Sequence, residues 1–353
     1  MLQSEEIVGS SELSRAVDPA RIPVETQPKI AATRGIAPFR LRWRTMLAVP
    51  IAALVTLGIH WFVSKGESPI EARSYALFFW EVIGVSFVLV AAQSFWVGLR
   101  FWMRHMCPIF TIAILLFGVW DIITNGFRLL PLPYFPGPAG VLQSLINDRA
   151  LLFDSTWHSL VLLLAGYSLG VIAGLISGIC IGWSSSMRYW GMPVLKIIGP
   201  IPATAWIPLA MVLSPSAVTS AAALIALAVW FPVTMLTASG ISNTRASWLD
   251  VARTLGAGRA YLIFRVAIPA AIPNIFIGLF MGLGASFLTL VVAETVGVKS
   301  GLGWYVSWAQ GWAEYGKVFA ALIIMAAFFS SIMTLLFKIR DRVLVWQKGV
   351  IKW

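Results

Sequence analysis

Charged side chains make up only 12% of the 353 residues, against 59% that are hydrophobic, and the mean hydropathy is +0.83. A soluble domain carries about a quarter charged residues, so this shortage excludes an ordinary globular protein in water. Cysteine is nearly absent. Cys107 and Cys180 each sit beside or within an apolar run, which argues against a disulfide or a metal site and reads as inert membrane thiols. Histidine is almost as rare, and His60, His105 and His158 lack ligand spacing, so no metal is expected. There is no G-x-x-x-x-G-K-[ST] phosphate loop: Gly297-Val-Lys-Ser300 has the wrong glycine spacing and no strand before it. No Ser-His-Asp or G-x-S-x-G arrangement points to a hydrolase. The chain is therefore expected to bind no cofactor and to carry out no covalent chemistry. Alternating strands of about ten residues, which an outer-membrane barrel needs, are missing. So is a basic-then-apolar secretory leader at the start of the sequence.

What the chain has instead is long apolar runs. A membrane helix takes about 20 apolar residues, and eight candidate spans lie near 46–64, 75–98, 107–123, 157–183, 192–213, 217–240, 270–293 and 317–337. The expected fold is all-α, a polytopic helical membrane protein. Residues 1–45 carry both signs of charge with little apolar periodicity and read as a disordered tail. Arg40, Arg42, Trp43 and Arg44 then form an interfacial anchor. A net charge of +11 would suggest nucleic acid in a soluble protein. Here basic residues marking the cytosolic ends of helices explain it, and no nucleic-acid partner is expected. With the N-terminus inside, nineteen Lys/Arg fall on the cytosolic side and six outside, with Lys196 within a span. The positive-inside rule thus puts both termini and the 241–269 loop in the cytosol.

That loop holds the most informative segment, Asp250 to Pro269, DVARTLGAGRAYLIFRVAIP. It is polar and basic, with Arg253, Arg259 and Arg265, yet it separates two apolar spans. The order of residue types implies a short helix, a tight turn at Gly256, a second amphipathic stretch, and a proline opening the next span. A short helix pair at a cytosolic mouth suits docking on a soluble partner.

The spacing resembles the EAA loop of permease subunits in type I ABC importers, written Glu-Ala-Ala, three residues, Gly, nine residues, Ile, two residues, Pro. The triplet here is Asp250-Val251-Ala252, followed by Gly256, Val266 in the Ile position, and Pro269. Asp for Glu, Val for Ala and Val for Ile are mild departures. Three further stretches are similar to the nitrate, sulfonate and taurine permease group. Residues 129–140, LLPLPYFPGPAG, match its Leu-Pro-x-Pro run, which there marks the end of the first core helix. Ile198 to Pro208, IGPIPATAWIP, matches its Ile-Pro-x-x-Ala-Trp-x-Pro segment. Val292-Ala-Glu-Thr-Val-Gly297 with Ser300-Gly-Leu-Gly303 matches its Ala-Glu…Gly-x-Gly signature. By this resemblance a six-helix importer core occupies 107–340, residues 46–106 add two helices, and 341–353 form a cytosolic C-terminal tail.

Each stretch also has a reading of its own. Gly166, Gly170, Gly174, Gly178 and Gly182 recur every fourth residue along one helix face. In lipid, small residues let helices approach closely, so this span is expected to be the inner scaffold. Pro200, Pro202 and Pro208 break the span 192–213. Broken helix at membrane depth is tolerated only where protein or a water-filled path covers it. Two readings stand: a structural kink, or a lining of the translocation path by Pro202, Thr204, Trp206 and Pro208. Glu294 is a rare carboxylate near membrane depth, read either as path-lining or as sitting at the outer interface.

The resemblance implies a permease that moves a small, anionic nutrient across a bacterial inner membrane. Two separate ATPase subunits, holding ATP-Mg, would dock on the loop through Asp250, Ala252, Arg253, Gly256, Val266 and Pro269. A second permease copy and an extracytoplasmic substrate-binding protein would complete the assembly, with membrane lipid around it. The alternative is an ion-gradient-driven secondary transporter, which needs an intramembrane relay and often shows inverted repeats. Only Asp121, Lys196 and Glu294 qualify as ionisable groups in the core spans, and no repeat is evident.

Overall fold

The computed structural model describes residues 47–63, 69–93, 95–127, 129 and 133–347. The N-terminal tail with its anchor, residues 348–353 and part of the Leu-Pro-x-Pro stretch lie outside the described residues. Within them the chain is helical throughout, without a strand. The helices are α1 (Ala48–Val63), α2 (Pro69–Ala92), α3 (Val97–Asp121, continued by a π turn Ile122–Gly126), α4 (Pro138–Asn147), α5 (Arg149–Trp183), α6 (Ser185–Ile198) and α7 (Ile207–Leu213). They continue with α8 (Ala217–Ser242), α9 (Ala246–Thr254), α10 (Arg259–Tyr261), α11 (Ile268–Val296), α12 (Leu302–Gly311) and α13 (Tyr315–Val343).

Six of the described helices are long and apolar enough to cross a membrane, and a seventh crossing results if the bent pair α6–α7 is one span. The helix α1 has 16 residues, fewer than the roughly 20 a crossing takes. The expected count of eight is therefore not established. The expected single span 192–213 is two helices bent by 85°. Gly199, Pro200 and Pro202 interrupt the hydrogen-bond ladder there, and a short tight turn, Ala203–Trp206, joins the halves. The apolar runs do not announce α4 or α12. Both are ten-residue helices, too short to cross.

Three helices form the slab that positions everything else. The glycine stripe of α5 lies on α8: a Cβ added at Gly166, Gly170, Gly174, Gly178 or Gly182 would come within 2.6, 2.5, 2.8, 2.6 or 2.9 Å of α8 atoms. Their partners Ile225, Val229, Val233, Thr237 and Ile241 advance in the same direction and register, so α5 and α8 run parallel. On α11, Gly278 and Gly282 meet Val233 and Val229 in reverse order, so α11 runs antiparallel to α8. Backbone-to-backbone contact of this kind supplies dispersion where lipid offers no hydrophobic drive. Polar ties add to it: Ser177 Oγ lies 2.8 Å from Thr234 Oγ1, and Trp230 Nε1 donates to Ser177 Oγ at 3.0 Å. The Tyr167 hydroxyl donates to the Leu279 carbonyl at 3.0 Å, joining α5 to α11.

The leading helices are tied to the rest by buried polar and apolar contacts. His60 Nδ1 donates to Asp121 Oδ2 at 2.9 Å, and both side chains are buried. The Thr56 hydroxyl donates to the Ile114 carbonyl, and α1, α2 and α4 share a core of Ala53, Tyr75, Phe79, Ile83 and Ala139. Asp121, an intramembrane relay candidate on sequence grounds, is satisfied internally. His60→Ala is expected to cost on the order of 1–3 kcal/mol, the desolvation penalty of the acceptor it strands. Thermal unfolding of the detergent-solubilised variant measures this; an unchanged midpoint would show that the pair does not hold the leading helices in place.

Candidate functional site

The loop 241–269 is built from its helix ends. α9 stops at Thr254 because Gly256 adopts φ +84°, a left-handed conformation that is costly for a residue with a Cβ. Ala257 N–H donates to the Ala252 carbonyl at 3.0 Å, and Gly256 N–H donates to the Arg253 carbonyl at 2.9 Å. That pair of bonds is the Schellman closure of a helix C-terminus. It gives Ala252 and Gly256 a geometric reason for their spacing. The chain then turns through α10 and a π turn, Leu262–Ala267, into α11. Pro269 sits in the first turn of α11, where the missing N–H is tolerated and the π turn absorbs the ring. Val266 is half-buried in that turn, and the buried Ala267 packs with Ile241, Ala271 and Ile275. The loop is thereby joined to both α8 and α11.

Its outer face carries large apolar side chains. Trp248, Val251, Leu255, Tyr261 and Phe264 are exposed, Leu255 at 82%. Charge surrounds them: Arg253 pairs with Asp250 at 2.8 Å, and the Arg245 guanidinium lies 5.4 Å over the Trp248 ring. Exposed apolar groups rimmed by charge mark a partner surface.

The broken span borders a half-open cavity of about 300 Å³. Pro202 and Thr204 line it from the break, Phe231 and Pro232 from α8, and Met281 and Ala285 from α11. No charged side chain is in its lining, and neither are Trp206, Pro208 or Glu294. Trp206 is half-buried and its indole N–H meets no acceptor among the described residues. Pro208 opens α7.

Glu294 occupies a different place. It is 1% exposed. One carboxylate oxygen accepts from Ser159 Oγ at 2.7 Å, and the other from Gly303 N–H at 2.7 Å. Ser159 Oγ in turn accepts from Leu302 N–H at 2.9 Å. A carboxylate at a helix N-terminus satisfies its free N–H groups and complements the helix dipole. Glu294 thus fastens α12 to α5 and α11. Gly301, at φ +100°, and Gly303 have no room for a Cβ beside it. Tyr305 completes the joint: its phenol donates to Asp148 at 2.7 Å, and burial with that bond pushes it well above its ordinary range, keeping it protonated. In this conformation Glu294 neither lines the cavity nor reaches the surface. Nothing in the sequence singles out Ser159 or Gly301 as its neighbours. The Gly301-Leu-Gly303 pair is the only local signal, and as part of a signature it does not by itself reveal a cap.

Residues 166–345, just over half of the chain, match the family described as "Binding-protein-dependent transport system inner membrane component". The chain belongs to that family. The permease is 30% identical to the taurine transport system permease protein TauC of Escherichia coli (strain K12), over 61% of its own length and 80% of that relative. It is 32% identical to the putative aliphatic sulfonates transport permease protein SsuC of Bacillus subtilis (strain 168), over 64% and 80%. With the nitrate import permease protein NrtB of Synechocystis sp. it shares 28% over 69% and 88%. It is a type I ABC importer permease of this group, a multi-pass inner-membrane subunit and not the catalytic component. The matched segment contains the glycine stripe, the broken span, the α9–α10 loop and Glu294 with Gly303, though not Ser159, and it begins well after α1–α3.

Proposed function

We propose that the permease imports a small anion and is driven by ATPase subunits docked on the 241–269 loop. The observation that carries this is the loop itself: a Schellman-closed helix presenting Trp248, Val251 and Leu255 to water, continuous with a 29-residue membrane helix. Closure of an ATPase dimer on ATP would push α9. The push would pass through the π turn into α11, and through the glycine contacts into α8 and α5. A ligand-driven movement of this slab against the broken span would bias the bundle between inward-open and outward-open states. One loop per chain implies two permease copies, here a homodimer, on two ATPases. The basic-residue count supports both termini and the loop lying in the cytosol. A binding protein on the opposite face would deliver substrate. The relatives named for taurine, aliphatic sulfonates and nitrate support a compact anion as cargo.

Uptake of labelled taurine and nitrate into vesicles holding the whole complex tests this. Transport is expected to require ATP and to survive an ionophore that collapses ion gradients. Transport that runs without ATP and stops with the ionophore would favour the secondary-carrier reading.

A further inference from the structure

A second cavity, larger than the one at the broken span, lies among α1, α2 and α3. It is half-open, with a volume of about 390 Å³. Its walls are almost wholly apolar, with Val85 from α2 and Trp102, Phe110 and Ile114 from α3 among them. Among the described residues its lining holds one charged side chain, Glu81. Ser86 adds a hydroxyl, but that proton goes to the Val82 carbonyl at 2.6 Å.

The depth of Glu81 follows from its own helix. The apolar span in α2 runs Ile70–Ala92, 23 residues, and Glu81 has eleven of them on either side. Ile114, which lines the same cavity, lies within two residues of the centre of the span His105–Gly126. The Thr56 hydroxyl, halfway along α1, donates to the Ile114 carbonyl. Three helices thus place this end of the cavity at the middle of the membrane. A carboxylate at that depth is costly unless it faces a cavity or meets a partner. Asp121 and Glu294 meet theirs within the chain. Glu81 is exposed, and no described residue forms an ion pair or hydrogen bond with it.

The partner must therefore come from outside the chain, and the lining says what it is. A concave apolar hollow of some hundreds of Å³ with one polar anchor has the form of a small-molecule site, whereas a partner helix would lie along a face. Apolar walls call for an apolar body, and the Trp102 and Phe110 rings, with centroids 6.2 Å apart, supply aromatic surface for it. The lone carboxylate calls for a cation that can donate a hydrogen bond. We infer that this cavity is a binding site for a lipophilic amine, entering from the lipid, with its ammonium donating to the Glu81 carboxylate. The site is separate from the importer machinery: α1–α3 precede the matched residues 166–345, so its failure would leave the importer reading standing.

The test uses the complete importer in lipid nanodiscs, with labelled naphthylethylamine as probe and naphthylethanol as its neutral counterpart. The wild type is expected to bind the amine saturably and more tightly than the alcohol. Glu81→Gln should weaken amine binding about tenfold, what a hydrogen bond to a charged group is worth, and leave the alcohol unchanged. Glu81→Asp should retain most of the amine binding. Val85→Trp, which fills the hollow, should weaken both probes. No saturable amine binding, or a wild type that holds the amine no tighter than the alcohol, would overturn the proposal whatever the variants do. So would undiminished amine binding in Glu81→Gln or in Val85→Trp. A photo-reactive residue at Val85 that forms an adduct with a second copy or another membrane chain would give the hollow to a helix, and would overturn it too.

Discussion

Gly256→Val is expected to leave the permease folded, inserted and normally abundant while uptake falls about tenfold or more. The left-handed backbone at Gly256, φ +84°, costs about 1–2 kcal/mol for a residue with a Cβ, and a β-branched one fares worst. No atom lies within 4 Å of the position a Cβ would take, so the penalty is purely conformational. It is relieved by unwinding the Schellman closure, which frees the last turn of α9 and displaces Leu255. About 1.4 kcal/mol of lost docking energy is tenfold in affinity. The membrane slab is untouched, because its glycine contacts are all in α5, α8 and α11. Gly258 provides the control. It too has open space around it, but its φ is −73°, so Gly258→Ala should transport normally. Normal uptake by Gly256→Val would remove the loop from coupling.

The second large effect concerns Glu294. Glu294→Ala strands the Gly303 N–H and the Ser159 hydroxyl in a buried site, each on the order of 1–3 kcal/mol. The expected result is a clear drop in the thermal midpoint of the solubilised permease and loosening of α12, readable as faster proteolysis near residues 298–312. Glu294→Gln keeps an acceptor for Gly303 and should be much milder. A stable Glu294→Ala protein with altered transport alone would reverse the assignment and return the carboxylate to the path.

The difference between those two sites explains what could be read from the sequence. The α9 turn depends on residues within six positions of one another, so the spacing of Ala252 and Gly256 carries its geometry. The glycine stripe likewise lies on one helix, and its period reveals a packing face without naming the partner. Glu294 is satisfied by Ser159, 135 residues away, and Asp121 by His60, 61 residues away. No local pattern encodes such pairs. The prolines around 200–208 announce a break but not its 85° angle, at which Gly199 lies against Phe231 of α8. α12 escapes a sequence reading because ten residues rich in tryptophan and glycine lack the length of a span, and its N-terminus is capped from another helix.

The central claim is that the α9 surface touches an ATPase, and a photo-reactive amino acid placed at Leu255 tests it most directly. This side chain is exposed at 82%, beside the turn and away from the membrane slab. With the whole complex in proteoliposomes, illumination should yield an adduct between permease and ATPase subunit, changing in yield when ATP is added. The same probe at Leu335, exposed on the membrane helix α13, should give none. An intact, ATP-hydrolysing complex with no Leu255 adduct would contradict the docking role of this loop.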